Sequence, residues 1–402
     1  MFFSQKSTTD TDPTKIEELL TRGVEKIYPS KESLKEVLLS GKKLKLYQGF
    51  DPTGDKLHIG HMVSLRKHRQ WQDMGHEVIF LVGDGTGQAG DPTGKKKTRE
   101  KFFTGEELRA NAKDYLDQAK KVVRFDGPNP IQILYNGDWL NKLTLVDILG
   151  IAQNFSVQQL IERDMFQERL KAGESINLRE FLYPLLQGYD SVAMDVDLEL
   201  GGSDQTFNML AGRTLLKAMK GKEKFVMTTP LLSDSRGVKI GKSEGNVIAL
   251  TDTPDDLFGK IMSLGDDAII PIFTLLTDTP QEEIDSFDVN RNPLELKKRA
   301  ARLVVSQLYS EKRATEAEVN FGKTFSDGEI PENIETISGE DGMLGDVLVA
   351  KGIVESKTDF KRLVSEGAVV NMDTHTTIVD WNSKAVPGSY KIGKKRFVKI
   401  VN

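Results

Sequence analysis

An apolar run that passes straight into a glycine-rich loop constrains the fold of this chain more than any other feature. Residues 78–82 read VIFLV and residues 83–87 read GDGTG, the pattern of a buried parallel strand followed by a tight loop. Residues 44–47 (LKLY) alternate as a strand does and lead into the turn-rich loop 49–54. A helix is predicted over 61–75, where a glycine ends it. This order predicts an α/β fold with a Rossmann-like, doubly wound parallel sheet.

The second half of the chain changes character twice. Asn292-Pro293 reads as a helix cap with proline at the first helical position, and the helix continues to Tyr309. An acidic stretch containing Gly, Pro and Ser then reads as a linker, and the tail after it has its own apolar pattern and more basic than acidic residues. We therefore predict an α/β domain over 1–232, a mobile loop over 233–247, a helical domain over 248–325, a linker over 326–341 and a small α+β domain over 342–402.

Composition excludes several kinds of chemistry. The chain has no cysteine, which excludes disulfides, thiol nucleophiles and thiolate metal sites, and we predict no metal held by the protein alone. The net charge is −5 at pH 7, so a nucleic-acid partner must meet local basic patches. No window is apolar enough to cross a bilayer, and the first residues lack the apolar core of a signal peptide. We expect a cytoplasmic protein with no membrane partner.

Two of the five histidines stand in the tetrapeptide His58-Ile59-Gly60-His61, after the first strand and loop and at the start of a helix. A helix N-terminus offers free backbone N–H groups and a positive dipole end to a phosphate. Gly60 leaves room for a ring or ribose to approach the backbone, and both imidazoles can hydrogen-bond phosphate oxygens. The competing interpretation, two surface histidines at a helix start, is as good for this tetrapeptide taken alone.

A second candidate is Lys239-Ile240-Gly241-Lys242-Ser243, in the flexible segment 233–246. Two lysines three residues apart can close on a triphosphate and neutralise charge on a phosphoryl group in transit. An exposed basic loop is the better interpretation of this segment by itself.

Together, the two segments resemble the HIGH and KMSKS signatures of the class I aminoacyl-tRNA synthetases. The second departs from the pattern at Ile240 and Gly241 but keeps both lysines. Further blocks, in the same order, resemble the bacterial type of the tyrosyl-tRNA synthetase family: residues 47–53 (YQGFDPT), 87–95 (GQAGDPTGK), 136–139 (NGDW), 183–190 (YPLLQGYD) and 201–205 (GGSDQ). The resemblance covers the whole chain.

The resemblance implies that the chain activates L-tyrosine with ATP and passes it to tRNA(Tyr), with Mg²⁺ accompanying ATP. It implies that Asp190 and Tyr47 meet the tyrosine hydroxyl. The full tyrosine site is then Tyr47, Asp91, Asn136, Tyr183, Gln187, Asp190 and Gln205. The ATP site is Gly49, Asp51, Gly60, Gly202, Asp204, Lys239, Lys242 and Ser243. The catalytic residues are Thr53, His58, His61, Lys239 and Lys242. Without the family, Tyr183 and Gln187 read as one face of a core helix. Trp139 reads equally well as a residue that borders the pocket and as core packing. Glu199 stands where some members carry Gln.

By the same resemblance, the first domain is catalytic, the loop 233–247 is mobile, and the helical domain lies on the anticodon side. The tail is similar to the small α-L RNA-binding domain. Lys357, Lys361 and Arg362 share one side of a predicted helix, from which they can meet tRNA phosphates. Phe360 departs from the commoner alanine of that block. The family also implies a homodimer.

Three rival functions remain to be weighed. Cofactor adenylyltransferases also use HxGH, but they are much shorter and lack the RNA-binding tail. A tryptophanyl-tRNA synthetase is disfavoured by Asp190 and Tyr47, which suit a hydroxyl. A paralogue that only binds RNA is disfavoured because the signature residues are intact: His58, His61, Lys239, Lys242 and Asp204.

Overall fold

The computed structural model describes most of the chain and divides it into two compact units, Met1–Ala314 and Thr315–Asn402. The described residues are 9–54, 56–93, 95, 97, 101–233, 239–240, 247–326, 335–339, 342–374, 376–393 and 396–401. Within these ranges, no helix is both long enough and apolar enough to span a membrane.

The first unit combines strands with many helices. Its strands are β1 (Lys26–Tyr28), β2 (Lys45–Phe50), β3 (Glu77–Val82), β4 (Gln132–Tyr135), β5 (Leu198–Gly202) and β6 (Phe225–Thr229). Its helices up to the last strand are α1 (Pro13–Thr21), α2 (Lys31–Leu39), α3 (Ile59–Asp73), α4 (Thr86–Ala89), α5 (Gly105–Ala119), α6 (Gly137–Leu140), α7 (Leu145–Ala152), α8 (Val157–Ile161), α9 (Asp164–Lys171), α10 (Leu178–Met194) and α11 (Thr206–Lys220). The helices after it are α12 (Pro254–Met262), α13 (Ile269–Leu276), α14 (Gln281–Asp285) and α15 (Pro293–Leu308). Helix α16 (Glu311–Ser326) begins in the first unit and continues into the second.

The central sheet has the order β1-β6-β5-β2-β3-β4. Strands β2 to β6 pair in parallel, whereas β1 pairs with β6 in the antiparallel direction. The chain builds β2, β3 and β4 toward one edge and then returns to place β5 and β6 on the other side of β2. The order therefore reverses between β2 and β5, and such switch points form a crevice at the carboxyl ends of the strands.

The predicted strands at 44–47 and 78–82 are confirmed as β2 and β3, and the predicted helices over 61–75 and 292–309 as α3 and α15. The prediction of a wholly parallel sheet was wrong at one edge, because β1 runs antiparallel to β6. Ile27 is the buried residue of this three-residue strand, and one buried side chain is too weak a pattern to reveal a strand or its direction.

Helix α10 determines where several predicted site residues lie. It begins with a capping box in which Asn177 and Glu180 satisfy each other's backbone N–H groups. Its apolar side packs with α7, α8 and α11 in a cluster that includes Leu185, Val192 and Leu215. The spacing of residues 183, 187 and 190 then places all three on one face of the helix.

Helices α12 to α15 pack as part of the first unit. The Arg22 guanidinium, just after α1, donates hydrogen bonds to the backbone carbonyls of Phe273, Thr274 and Thr277. Phe273 is fully buried. The segment that we predicted as a separate helical domain is therefore tied to the N-terminal region by a long cationic side chain, a contact that no local pattern reveals.

The second unit is a small α+β structure. Its described elements are β7 (Glu335–Ser338), α17 (Leu344–Ala350), α18 (Lys357–Ser365), β8 (Val369–Asn371), β9 (Thr376–Thr377), β10 (Gly388–Ile392) and β11 (Arg396–Val401). The strands form a sheet of order β7-β11-β10-β8-β9. A buried cluster that includes Leu348, Phe360 and Tyr390 joins helices to sheet. Strand β7 lies inside the predicted linker 326–341 and pairs in parallel with β11, so residues 335–338 correct that prediction.

Candidate active site

The candidate site lies at the carboxyl ends of the parallel strands, beside the switch point. Asp51 follows β2, the glycine loop 83–87 follows β3, and Asn136 follows β4. Asp204 and Gln205 form a short 3-10 helix directly after β5. Helix α10 brings a further set of polar side chains to the same crevice. The fold thus assembles side chains from four strand ends and one helix.

One part of the crevice holds the buried carboxyl group of Asp190. Asn136 Nδ2 donates to Asp190 Oδ2 at 3.0 Å, and Trp139 Nε1 donates to Asp190 Oδ1 at 2.8 Å. Burial raises the pKa of Asp190 well above its usual value, against the opposing effect of the two donors. Asn136 Oδ1 also accepts from the backbone N–H of Gly85 at 2.8 Å, which ties Asp190 to the glycine loop.

Tyr47 is fully buried on β2 near Asp190. Its hydroxyl shares a hydrogen bond of 2.9 Å with Ser191 Oγ. Burial raises the pKa of Tyr47 well above its usual value, and the charges of Glu199 and Asp190 raise it further. The structure therefore brings Tyr47 and Asp190 into one electrostatic environment, while the direct protein partner of the Tyr47 hydroxyl is Ser191.

Asp51 connects the predicted ATP and tyrosine residues. Tyr183 Oη donates to Asp51 Oδ2 at 3.0 Å, and Thr86 Oγ1 donates to Asp51 Oδ1 at 2.7 Å. Burial raises the pKa of Asp51 to about 6, although these two hydrogen bonds act in the opposite direction. Burial likewise raises the pKa of Tyr183 well above its usual value. Asp51, which we predicted to line the ATP site, therefore also accepts a hydrogen bond from Tyr183, which we predicted to bind tyrosine.

Asp91 and Gln205 meet across the crevice. Gln205 Nε2 donates to Asp91 Oδ2 at 2.9 Å, and the backbone N–H of Thr93 donates to Asp91 Oδ1 at 2.9 Å. The charge of Asp91 also contributes to raising the pKa of Tyr183, so the carboxylate lies near that hydroxyl.

Gln187 makes contact with Glu199 rather than with the residues just described. Gln187 Nε2 donates to Glu199 Oε1 at 3.1 Å. Glu199 Oε2 in turn forms an ion pair with Lys224 Nζ, and both side chains are fully buried. Glu199, whose contact the sequence left open, is therefore bound to the protein on both oxygens.

The two histidines of the tetrapeptide begin α3 and stack on each other. His58 is the N-cap, and its Nδ1 accepts from the backbone N–H of Gly60 at 3.1 Å. His61 Nδ1 accepts from the backbone N–H of His58 at 3.2 Å, and the ring centroids lie 4.0 Å apart. A Cβ at residue 60 would lie 2.9 Å from the His58 ring, so this arrangement needs glycine. With Nδ1 accepting, the proton of each neutral ring sits on Nε2, which becomes a donor.

Lys239 reaches Asp204, which we predicted for the ATP site. Its Nζ pairs with Asp204 Oδ2 at 3.0 Å, and its backbone forms an antiparallel bridge with Ser233. Lys242 and Ser243, predicted for the same triphosphate, lie outside the described residues, as does Gly241.

The remaining predicted residues line the strand ends without forming a cluster of their own. Gly49 lies near the end of β2, Gly202 ends β5, and the backbone N–H of Thr53 donates to the Asp51 carbonyl at 2.8 Å.

The predicted RNA-contacting residues lie on α18 of the second unit, and each has a partner there. Lys357 pairs with Asp346 at 2.7 Å, and Arg362 pairs with Asp359 at 2.7 Å and Glu366 at 2.9 Å. Lys361 Nζ lies 3.6 Å from the centre of the Trp381 ring. Exposed ion pairs of this kind are weak, so phosphate groups can replace the acidic partners at little cost.

Sequence analysis missed three residues that hold the site together, Thr86, Ser191 and Lys224, and left the role of a fourth, Trp139, open. Thr86 was inside the glycine loop, and Trp139 was in a recognised block but read equally well as packing. Ser191 follows Asp190 directly. Lys224 had one signal, a lysine immediately before an apolar strand, which is more often an exposed position.

Comparison with known proteins identifies the family to which the chain belongs. The family model "tRNA synthetases class I (W and Y)" matches residues 39–326. The tyrosine–tRNA ligase of Carboxydothermus hydrogenoformans is 40% identical over 402 aligned residues, covering 96% of this chain and 97% of that one. Two solved structures share the fold. A truncated mitochondrial tyrosyl-tRNA synthetase of Aspergillus nidulans has a TM-score of 0.64 and 24% identity, covering 77% of this chain and 94% of that one.

The other structure is the tyrosyl-tRNA synthetase of Archaeoglobus fulgidus complexed with L-tyrosine. Its TM-score is 0.61 at 20% identity, and the match covers 76% of this chain and all of that one. The family match over most of the chain and the 40% identity over nearly all of it lead to one conclusion: the chain belongs to the class I tRNA synthetases of the tryptophan and tyrosine group, within the tyrosyl branch.

Proposed function

We propose that this protein is a tyrosine–tRNA ligase. It activates L-tyrosine with ATP to form tyrosyl adenylate and pyrophosphate, and then transfers the tyrosyl group to the 3′-terminal adenosine of tRNA(Tyr). The observation that carries the proposal is the buried Asp190 carboxyl group, held by Asn136 and Trp139 inside the crevice. A buried polar group of this kind suits a substrate hydroxyl, and a family that includes tryptophan and tyrosine enzymes must distinguish side chains by such a contact.

Tyrosine recognition rests on the two ends of the amino acid. Asp190 and Tyr47 meet the hydroxyl, and Asn136 keeps Asp190 in place. The ammonium group lies among Asp91, Tyr183 and Gln187, whose side-chain oxygens accept its hydrogen bonds. Gln205 orients Asp91. Phenylalanine would leave Asp190 and Tyr47 without the hydrogen bond that the tyrosine hydroxyl supplies, and tyrosyl-tRNA synthetase is itself a standard example of rejection by this effect.

In the first step, the tyrosine carboxylate attacks the α-phosphorus of ATP. A carboxyl oxygen–phosphorus bond forms, the bond to the bridging oxygen breaks, and pyrophosphate leaves. No enzyme nucleophile takes part, so the rate comes from positioning and from stabilising charge on the phosphates. His58 and His61 supply Nε2 donors at a helix N-terminus, and Lys239 and Lys242 supply cations. Thr53 adds a further donor.

The ATP side combines small residues with polar ones. Gly49, Gly60 and Gly202 let the nucleotide approach the backbone. Asp51 lines the ATP side, and Asp204 meets the ribose. The ion pair between Lys239 and Asp204 supports this assignment, because a phosphate can take the place of the carboxylate on the lysine. Ser243 completes the set. The substrate is MgATP, with Mg²⁺ held mainly by phosphate oxygens and water.

In the second step, a terminal ribose hydroxyl of the tRNA attacks the carbonyl carbon of tyrosyl adenylate. The ester forms and AMP leaves. We assign residues 1–232 to catalysis, 233–247 to a mobile loop and 248–325 to the anticodon side. Residues 326–341 remain a linker apart from β7, and 342–402 form an RNA-binding domain. Lys357, Lys361 and Arg362 on α18 would exchange their present partners for tRNA phosphates.

We propose that the enzyme works as a homodimer in the cytoplasm, where it meets its tRNA. Support for a dimer comes from α7, whose apolar side chains Leu145, Val146 and Leu149 are 72%, 76% and 60% exposed. Contiguous exposed apolar surface of this kind marks interaction sites.

ATP–pyrophosphate exchange with each of the twenty amino acids, without tRNA, tests the proposal. Exchange with tyrosine, and almost none with phenylalanine, supports both the reaction and the pocket. Exchange with tryptophan or another amino acid keeps the family and refutes the role of Asp190. No exchange by folded protein that still binds tRNA refutes the activation step and favours an RNA-binding paralogue.

A further inference from the structure

A fully buried ion pair lies beside the tyrosine-binding residues and is not accounted for by the reaction. Lys224 Nζ pairs with Glu199 Oε2 and also donates to Ser191 Oγ at 2.6 Å. A Cβ at residue 212 would lie 2.6 Å from Lys224 Nζ and 2.7 Å from Ser191 Oγ, so Gly212 makes the space for this cluster. Burying two charges is costly, and such a pair often contributes little stability compared with apolar residues. Its presence next to a binding site therefore calls for another explanation.

The second oxygen of Glu199 determines how Gln187 is oriented. A carboxylate paired with a lysine can only accept hydrogen bonds, so the Gln187 amide must turn its Nε2 toward Glu199, at 3.1 Å. The amide oxygen must then face the opposite way. A glutamine at residue 199 could donate as well as accept, and it would allow either orientation.

The amide oxygen that this orientation exposes has no donor among the described residues. Gln187 Oε1 is buried and has no hydrogen-bond partner there. Buried acceptors are almost always paired in folded proteins, so an unpaired one beside a binding crevice points to a donor brought by a ligand. The ammonium group of an amino acid supplies three such donors.

We propose that Glu199, held in place by Lys224, is a positioning residue for amino-acid recognition: it fixes Gln187 with its carbonyl oxygen turned toward the substrate ammonium group. This inference rests on the proposed function, because it takes the ammonium group of tyrosine as the ligand. The same ion pair also reaches the other end of the pocket, since Ser191 joins Lys224 to the Tyr47 hydroxyl.

The variant Glu199→Gln tests the orientation. It keeps the size of the side chain but lets the Gln187 amide turn, and it leaves Lys224 buried without its carboxylate. We expect the KM for tyrosine in pyrophosphate exchange to rise about tenfold or more, as loss of a hydrogen bond to a charged group predicts. The KM for ATP should stay within about twofold.

Because Glu199→Gln also destabilises the protein, a second variant separates the two effects. Lys224→Met/Glu199→Gln removes both charges and should recover most of the lost thermal stability. Positioning predicts that the tyrosine KM stays raised in this double variant. If the tyrosine KM returns to the wild-type value together with stability, the pair is only structural and the proposal is wrong.

The matched control is a second buried ion pair, Arg169–Glu180, whose carboxylate lies on α10, the helix that carries Gln187. Arg169→Met/Glu180→Gln should change stability and leave the tyrosine KM unchanged. A tyrosine analogue without the ammonium group, 3-(4-hydroxyphenyl)propanoate, should inhibit wild type and Glu199→Gln equally. Equal weakening of this inhibitor and of tyrosine would overturn the proposal. Absence of tyrosine-dependent exchange in the wild type would instead overturn the proposed function, and the inference with it.

Discussion

Replacing Asp190 by asparagine tests how the pocket reads the tyrosine hydroxyl. In the structure, each carboxyl oxygen of Asp190 already accepts one hydrogen bond, from Asn136 at 3.0 Å and from Trp139 at 2.8 Å. Asparagine keeps the shape but has one acceptor oxygen. Its NH2 group is a hydrogen-bond donor. This group must therefore point either at one of these two donors or at the substrate hydroxyl.

The magnitude follows from the cost of a buried donor left without an acceptor, about 1–3 kcal/mol. At about 1.4 kcal/mol for each factor of ten, kcat/KM for tyrosine should fall about 5- to 150-fold. Phenylalanine brings no hydroxyl and should be activated within about threefold of the wild-type rate, because it never made the lost contact. The preference for tyrosine over phenylalanine should therefore fall by nearly the same factor as tyrosine activation.

The assay is ATP–pyrophosphate exchange with both amino acids, on wild type and variant. Asp84→Asn is the control, because Asp84 is also buried and also accepts two hydrogen bonds, from Gly137 N at 2.7 Å and Arg109 Nε at 2.9 Å. This control should lose stability and keep the wild-type preference. Equal losses for tyrosine and phenylalanine in Asp190→Asn would refute the reasoning, because they would mean that Asp190 supports the pocket without reading the hydroxyl.

Three further predictions follow from the described contacts. Lys239→Ala should slow adenylate formation about a hundredfold and leave tyrosine binding nearly unchanged in equilibrium titration. Lys242→Ala should behave in the same way. Equal losses in rate and binding would exclude a role of these lysines in the transition state. Burial raises the pKa of Asp51 to about 6 from its ordinary 3.8, so its stabilising contribution is present below about pH 4 and is lost as the pH rises through 6. Asp51→Asn should therefore raise Tm more at pH 8 than at pH 4.5, and an equal shift at both would contradict the titration. Leu149→Asp should convert the dimer to a monomer in sedimentation. Leu294→Asp, which changes a similarly exposed leucine of α15, should leave the dimer intact. A wild-type protein that sediments as a monomer would contradict the proposed interface.

The elements around the site could be predicted because their patterns are local. The run before Gly83 and the tetrapeptide ending at His61 each carry a strand or helix signal within a few residues, and the structure confirms β3 and α3. Strands that depend on partners distant in the sequence could not be predicted in this way. Strand β7 is completed by pairing with β11, and its own residues sit in an acidic stretch that resembles a linker.

The site was predictable as a set of residues but not as a set of contacts. Resemblance to the family brought Asp190, Tyr183 and Gln187 together, and α10 does place them on one face. It could not reveal that Tyr183 binds Asp51, because that contact joins α10 to the end of β2. Nor could it reveal the buried Lys224, since a lysine in a sequence is expected at the surface unless its partner is known.

Charging of tRNA tests the central claim most directly, because it requires both chemical steps and the binding of tRNA. Purified wild-type protein would be incubated with MgATP, tRNA(Tyr) and either labelled tyrosine or labelled phenylalanine, and the acid-precipitable label would be followed with time. The account predicts tyrosyl ester up to the amount of tRNA and almost no phenylalanyl ester. Equal charging with phenylalanine, or tyrosine-dependent pyrophosphate exchange without any charging of tRNA, would contradict it.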